Sequence, residues 1–369
     1  MKIAIDLTAL AFNFSGIERY ALNISKNMIQ NDSQDEFWLL FCNKIHPDFE
    51  ELIRQENVKC QIVKSGSSKF SKLWMFQIKN LLALNHMKAD RYVFLAFEPP
   101  ILMRNPNMII TIHDIGFFDC PQMWKWYVSL YGQIKMKAAI RHCHRIVTVS
   151  NFTKRRLEER FSIDEEKISV VYNAIDNKFR NDIADKDKSL EVRKKYKLPM
   201  DNFILCLSTL EPRKNLRLLI EAYTDLKKEN KIDHHLVLAG RKGWKIDSLF
   251  KNIDSEIKQY IHFTGFIDDD DLPYVYKAAD LFVFPSKYEG FGIPPLEAMA
   301  CGTQPVVSDL DVFKEVFGEA AIYFANNNVD DLKNAILSKN VVDSRILKEQ
   351  SSRYSWEKSG RQYLEAMKL

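Results

Sequence analysis

The sequence predicts an α/β protein built from two Rossmann-like, doubly wound domains that face each other across a cleft. Three observations carry this expectation. At 369 residues the chain exceeds what one ordinary core accommodates, so two domains are expected. Short apolar runs alternate with amphipathic stretches along nearly all of it, the pattern of parallel strands joined by crossover helices. One polar interruption splits the alternation into two similar series.

The first series opens with KIAIDL as a strand, then a helix from about Ile17, and the strand FWLLFC. A helix near Phe49, the strand KCQIV and a helix from about Lys72 follow. The strands RYVFLA and MIITIHD, a long helix from Trp124, the strand RIVTVS, another helix and the strand ISVVYN complete it. Between Asp176 and Met200 the pattern dissolves into mixed charge, which places the domain boundary near residue 180. The second series reads FILCLS, a helix from Asn215, HHLVLAG, a helix near Ile246, IHFTG and a helix from Asp270. It ends with LFVFPS, a helix from Pro294, QPVVS and AAIYF, so the second domain spans 181–353. In the closing stretch, 354–369, Trp356, Tyr363, Leu364 and Met367 recur at near-helical spacing. Such a helix needs a surface to pack on, and it is read as returning to the first domain, 1–180.

Hydrophobic residues at 46% and charged residues at 28% are globular values without a disorder-like bias. Asp6 interrupts the apolar run of MKIAIDLTAL, which therefore reads as a buried strand and not as a signal peptide. No stretch approaches the ~20 apolar residues of a spanning helix. A cytoplasmic protein is expected, free or peripheral at the inner face of the membrane. The six cysteines include no CxxC pair, as in a reducing compartment. His142-Cys143-His144 is followed by no second ligand cluster at zinc-like spacing and reads as helix surface. The net charge of +4 is uneven, because residues 51–150 hold 14 basic and 6 acidic side chains. Within them, Lys69, Lys72 and Lys79 flank Leu73, Trp74, Met75 and Phe76. That segment is either an amphipathic helix covering its own sheet or one that lies on an anionic membrane. No nucleic-acid partner is expected.

The most informative segment is LFVFPSKYEGFGIPPLEAMACGTQPVV, Leu281 to Val307. An apolar strand gives way to a loop with Gly290 and Gly292, and a helix starts with Pro294 or Pro295 at its first position. A strand, loop and helix start of this kind offers backbone N–H groups and a positive dipole end to a phosphate. The prolines leave Gly292, Ile293, Leu296 and Glu297 as donors. Glu289 on the loop and Glu297 in the first helical turn can border one pocket, where carboxylates accept from vicinal hydroxyls of sugars and riboses. Asp268 to Asp271 precede LPYVYKAAD, so at least one is expected to cap that helix, and no metal site is expected there.

The E-x7-E pattern within GFGIPPLEAMACGTQPVV resembles the retaining GT-B glycosyltransferases of family GT4. The likeness continues through SGIERY, TIHDIGFF, RIVTVSNFTKRRL, VVYNAID, EPRKNLRLLIEAY, LVLAGRKGW, HFTGFIDDDDLPYVYKAADLFVFPS and YSWEKSGRQYLEAM. It implies that Glu297 binds the nucleotide ribose, that Glu289 contacts the transferred sugar, and that the amides of Phe291, Gly292 and Ile293 meet the sugar and distal phosphate. Lys214 matches the family's diphosphate-binding lysine. Many relatives carry the accompanying arginine earlier, where this chain has Ser208-Thr209-Leu210, and Arg213 is its expected substitute. His113 matches a cleft-facing histidine that contacts donor sugar or acceptor. Gly16 matches a glycine that admits backbone to the diphosphate and acceptor. Glu98 and Asp114 are further acceptor-side candidates.

The resemblance implies transfer of a hexose from a nucleotide diphosphate sugar, with retained configuration and with neither cofactor nor metal. LAGRKGW and the spacing resemble users of GDP-mannose, with dTDP-rhamnose and UDP-sugars as alternatives. The expected acceptor is a saccharide, lipid-linked, in bacterial-type surface polysaccharide synthesis. A UDP-sugar epimerase of the same build and a non-catalytic nucleotide-sugar binder are the competing classes. The EGFGIPPLEAM context argues against the first, and both glutamates together with Arg213 and Lys214 argue against the second.

Overall fold

Each apolar run becomes a strand because a parallel strand covered on both faces needs uninterrupted apolar side chains. In the computed structural model, which describes residues 1–11, 16–66, 68–95, 99–181, 185–209, 211–241 and 253–368, these strands form two sheets. The first contains β1 (Lys2–Asp6), β2 (Glu36–Cys42), β3 (Val58–Val63), β4 (Arg91–Phe94), β5 (Met108–Ile112), β6 (Arg145–Thr148) and β7 (Ile168–Val170). Their order is β3-β2-β1-β4-β5-β6-β7, with parallel pairing throughout. The second contains β8 (Phe203–Leu207), β9 (His235–Ala239), β10 (Ile261–Gly265), β11 (Leu281–Phe284), β12 (Gln304–Ser308) and β13 (Ile322–Phe324). Its order is β10-β9-β8-β11-β12-β13, again all parallel. The strand order reverses beside β1 and β4 in one sheet and beside β8 and β11 in the other. Loops leaving the carboxyl ends of such strands are where α/β sheets bind ligands.

The chain divides into Met1–Ala174 with Tyr354–Leu369, and Ile175–Arg353. Residues 175–180 thus pack with the second unit, ahead of the boundary read from composition. Phe179 is the reason: it is fully buried, meets the Tyr276 ring edge-on at 5.9 Å, and its carbonyl accepts from the Cys301 thiol at 3.6 Å.

The C-terminal helix, Trp356–Lys368, lies against the helix Gly16–Asn31 of the first unit. Tyr363 is fully buried, with its hydroxyl 3.0 Å from Thr111 Oγ1 on β5, and Trp356 meets the edge of Tyr20 at 6.0 Å. The two helices touch at Gly360, where an added Cβ would lie 2.5 Å from Asn27 Cβ and 3.1 Å from its carbonyl carbon. Gly360→Leu is therefore expected to destabilise the first unit by about 1–3 kcal/mol, read in a urea titration. An unchanged midpoint would show that the terminal helix does not dock there.

Other elements depart from expectation. The helix near Phe49 is two short 3-10 turns, Pro47–Phe49 and Leu52–Arg54, since Pro47 fits only the start of a helical turn. The helix expected from Lys72 starts at Lys69, where the Ser68 hydroxyl accepts from Ser71 N at 3.0 Å. It continues through a π turn, Met75–Lys79, into Asn80–Met87. The long helix begins at Trp126, two residues late, behind an extended Lys125. Cys143 is buried at the end of that helix and not on its surface, with its thiol pushed up to about 11 by burial. The helix near Ile246 lies outside the described residues. No helix among the described residues is long and apolar enough to cross a membrane.

Candidate active site

Two loops build the site of the second unit. One leaves β8 and carries Glu211, the 3-10 turn Pro212–Lys214 and Asn215, whose φ of 54° turns the chain into the helix Leu216–Lys228. The other leaves β11 and ends at Gly292. Lys287 N donates to Arg213 O at 2.9 Å, which ties the loops together at the point where the sheet order reverses.

Glu289 is the hub. Its Oε1 accepts from Lys214 Nζ at 2.6 Å and its Oε2 from Arg213 Nη1 at 3.0 Å. Arg213 Nη1 also donates to Tyr288 O at 3.1 Å. The Nε and Nη2 of Arg213 reach Glu211 Oε1 at 3.2 and 3.0 Å. Lys214 Nζ stands 4.9 Å from the centroid of Phe284. Burial alone would push the Glu289 carboxyl up, but Arg213 and Lys214 outweigh it and hold the group down at about 2. Burial and the neighbouring Arg213 lower the Lys214 ammonium against the pull of Glu289. Glu289 is thus a fixed carboxylate, an acceptor and not an acid, near neutral pH. Lys214 has three N–H donors, of which Glu289 takes one.

The ion cluster has a pH signature. The folded carboxyl of Glu289 titrates at about 2 against 4.5 when unperturbed, so its stabilisation is complete above pH 4.5 and is lost as the pH falls toward 2. Glu289→Gln should flatten the fall in unfolding free energy over that range, by at most about 3 kcal/mol. Parallel curves for the two proteins would contradict the pairing.

Glu297 sits on the adjoining helix, Ile293–Ala300, and is held from a different direction. It is buried, and its Oε2 accepts from the Tyr276 hydroxyl at 2.8 Å. Tyr276 belongs to the helix Leu272–Ala278, where Thr303 Oγ1 donates to its carbonyl at 2.7 Å. The helix of Glu297 starts at Ile293, so Pro294 occupies its second position and not its first. Gly292 precedes it with φ 106°, and an added Cβ would come within 2.8 Å of Phe313 Cε1. That backbone is open to glycine alone. Phe291 is buried beside it.

Asp271 occupies the N-cap position of Leu272–Ala278 but makes no side-chain cap, against expectation. Its carboxylate is taken by Lys195 Nζ at 2.7 Å and the Tyr196 hydroxyl at 2.9 Å. Asp268 shares Lys195 at 2.7 Å, and Asp270 meets Lys178 at 3.4 Å.

In the first unit, His113 stands one residue beyond β5, buried, with Nε2 2.8 Å from Leu95 O just after β4. A carbonyl only accepts, so Nε2 carries the proton and Nδ1 of the neutral ring is the acceptor. Burial holds the imidazole below its usual range, although Leu95 and Asp114 oppose the shift. Tyr20 meets the ring edge-on at 4.9 Å. Asp114 Oδ1 accepts from Gly116 N at 2.8 Å, a local turn contact. Gly16 is the exposed first residue of its helix, one residue before the start expected at about Ile17. Glu98 lies outside the described residues.

The structure brings Glu289, Arg213 and Lys214 into one ion cluster, adds Glu211 to it and sets Tyr276 on Glu297; the sequence alone gives Glu211 and Tyr276 no role. Glu211 was visible as the acid of EPRKN. Tyr276 had no local signal, since an aromatic residue in an amphipathic helix reads as core.

Two family descriptions match the chain: Glycosyltransferase Family 4 over residues 14–179 and Glycosyl transferases group 1 over residues 188–363. Among curated proteins it is similar to O-antigen chain mannosyltransferase B of Escherichia coli, 29% identical over 100% of both chains. It is also similar to O-antigen chain mannosyltransferase RfbU of Salmonella typhimurium, 28% identical over 89% of this chain and 88% of the other. Among solved structures, HepE of Anabaena in complex with UDP and glucose superposes with a TM-score of 0.72 at 17% identity, over 100% of this chain and 99% of the other. Sucrose-phosphate synthase of Thermosynechococcus elongatus gives 0.74 at 17% identity, over 99% and 98%. These structures share the GT-B fold. The chain belongs to the group 1, family 4 glycosyltransferases and is a hexosyltransferase, which sets aside the epimerase and the non-catalytic binder.

Proposed function

We propose that the chain transfers mannose from GDP-mannose, with retention and without a metal ion, to a lipid-linked saccharide at the inner membrane face during surface polysaccharide synthesis. The observation that carries the chemistry is the cluster of Lys214, Arg213 and Glu289 at the carboxyl ends of β8 and β11. As the bond between the anomeric carbon and the distal phosphate oxygen breaks, negative charge builds on the diphosphate. Lys214, Arg213 and the amides of Gly292 and Ile293 stabilise it at a helix start. Charge compensation of this kind is what a divalent ion would otherwise supply.

Glu289, fixed in its ionised form, accepts a hydrogen bond from a hydroxyl of the transferred sugar. Glu297 accepts from the ribose, with Tyr276 setting its orientation. Nδ1 of His113 is suited to accept from a hydroxyl of the donor sugar or acceptor, with Gly16 admitting backbone to the diphosphate and acceptor and with Glu98 and Asp114 on the acceptor side. The acceptor oxygen attacks from the face the phosphate leaves, and the departing phosphate takes its proton.

The relatives named as O-antigen mannosyltransferases support mannose, and therefore GDP-mannose as its activated form. The test is release of nucleotide diphosphate from GDP-mannose, UDP-glucose and dTDP-rhamnose in EDTA, with a bacterial lipid-linked saccharide extract as acceptor. Acceptor-dependent release of GDP is expected. Release from another donor would reassign the sugar, and a strict requirement for added metal would remove the electrostatic argument.

A further inference from the structure

The helix Trp126–His142 turns an apolar stripe outward. Trp126 is 76% exposed, and Tyr127, Leu130, Tyr131 and Ile134 are 41 to 52% exposed. Their spacing of three and four residues makes one continuous face. Its opposite side, including Met136, Ala139 and Ile140, is buried in the first unit's core. The stripe is therefore additional to the face that folds the domain. A second helical stretch adjoins it: Gln77 Nε2 donates to the Tyr131 hydroxyl at 3.4 Å, and Gln77 Oε1 accepts from Ile101 N at 2.8 Å. One turn before Gln77, Leu73 and Trp74 are each about half exposed.

The formal charge of the two segments that carry this face has one sign. Residues 57–89 contain no Asp or Glu and six Lys, and residues 120–157 contain no Asp or Glu and eight Lys or Arg. Soluble surfaces rarely show large contiguous apolar patches, and one borne on segments whose formal charges are all positive is complementary to an anionic lipid surface. Trp and Tyr, apolar with a polar tip, suit the headgroup boundary.

We propose that the outward faces of Trp126–His142 and of the 69–87 helical stretch dock the first unit onto an anionic lipid bilayer. Trp126, Leu130 and Trp74 enter the headgroup boundary, and lysines and arginines around them meet the lipid phosphates. This deepens the reading of a lipid-linked acceptor and rests on that reading for its purpose, but its test does not depend on catalysis.

The experiment is co-sedimentation of the full chain with vesicles of phosphatidylcholine alone and of phosphatidylcholine mixed with phosphatidylglycerol. Wild type is expected to sediment with the anionic vesicles and to be partly released by high salt. Trp126→Ser with Leu130→Ser should lower the partition coefficient at least about tenfold without changing the melting temperature. Phe263→Ser with Phe266→Ser, exposed aromatics of the second unit, should bind as wild type does. Wild type remaining in the supernatant, or the Trp126, Leu130 double variant sedimenting equally, would overturn the proposal. So would a wild-type dimer, seen by light scattering, that the same double variant dissolves, because a second copy would then cover the face. Nucleotide release in detergent-free buffer, followed separately, tells failure of docking from failure of the transferase reading.

Discussion

Lys214→Met is expected to lower kcat by about 100-fold or more while the protein stays folded, because one preorganised donor to a developing anion is worth about that factor. Methionine keeps the length of the aliphatic stem, while the ammonium over the Phe284 ring is lost with the charge. What disappears is a cation 2.6 Å from Glu289, leaving that carboxylate to Arg213. A merely structural ion pair would behave otherwise. Its loss would appear in the unfolding free energy and leave kcat near that of wild type. The decisive comparison is therefore kcat against the urea midpoint, and normal turnover at reduced stability would remove Lys214 from the reaction.

Glu297→Ala should raise the donor KM at least about tenfold, with a further loss of about 1–3 kcal/mol in stability from leaving the buried Tyr276 hydroxyl without its acceptor. Glu297→Gln separates the two effects. The amide oxygen still accepts from Tyr276, so stability should be largely restored, while the charge proposed to hold a ribose hydroxyl is gone and KM should stay high. Recovery of both quantities in Glu297→Gln would make Glu297 a structural partner of Tyr276.

The strands were legible because parallel strands covered on both faces read as unbroken apolar runs. MIITI and LFVF need no context to be recognised, and β5 and β11 fall on them. The Gly292 loop and helix were legible for a related reason, since glycine and proline act through their own backbone restrictions. What stayed hidden depended on partners distant in sequence. One of Asp268 to Asp271 was expected as a cap because the Lys195 and Tyr196 partners of Asp271, 76 and 75 residues away, are invisible to local reading. The orientation of Glu297 by Tyr276 crosses 21 residues and two helices. WYVSLYGQI reads only as part of a long helix, and the fold decides that its aromatic stripe faces outward. Of the ion cluster, Arg213 and Lys214 could be singled out by type, but their convergence on Glu289 follows from β8 and β11 being neighbours.

The most direct measurement is a calorimetric titration of GDP into the wild-type chain and into Lys214→Met, in EDTA. Binding at a single site by wild type, weakened at least about tenfold in the variant, is expected if Lys214, Arg213 and Glu289 form the diphosphate site. Equal affinity for the two proteins, or no binding until metal is added, would contradict it.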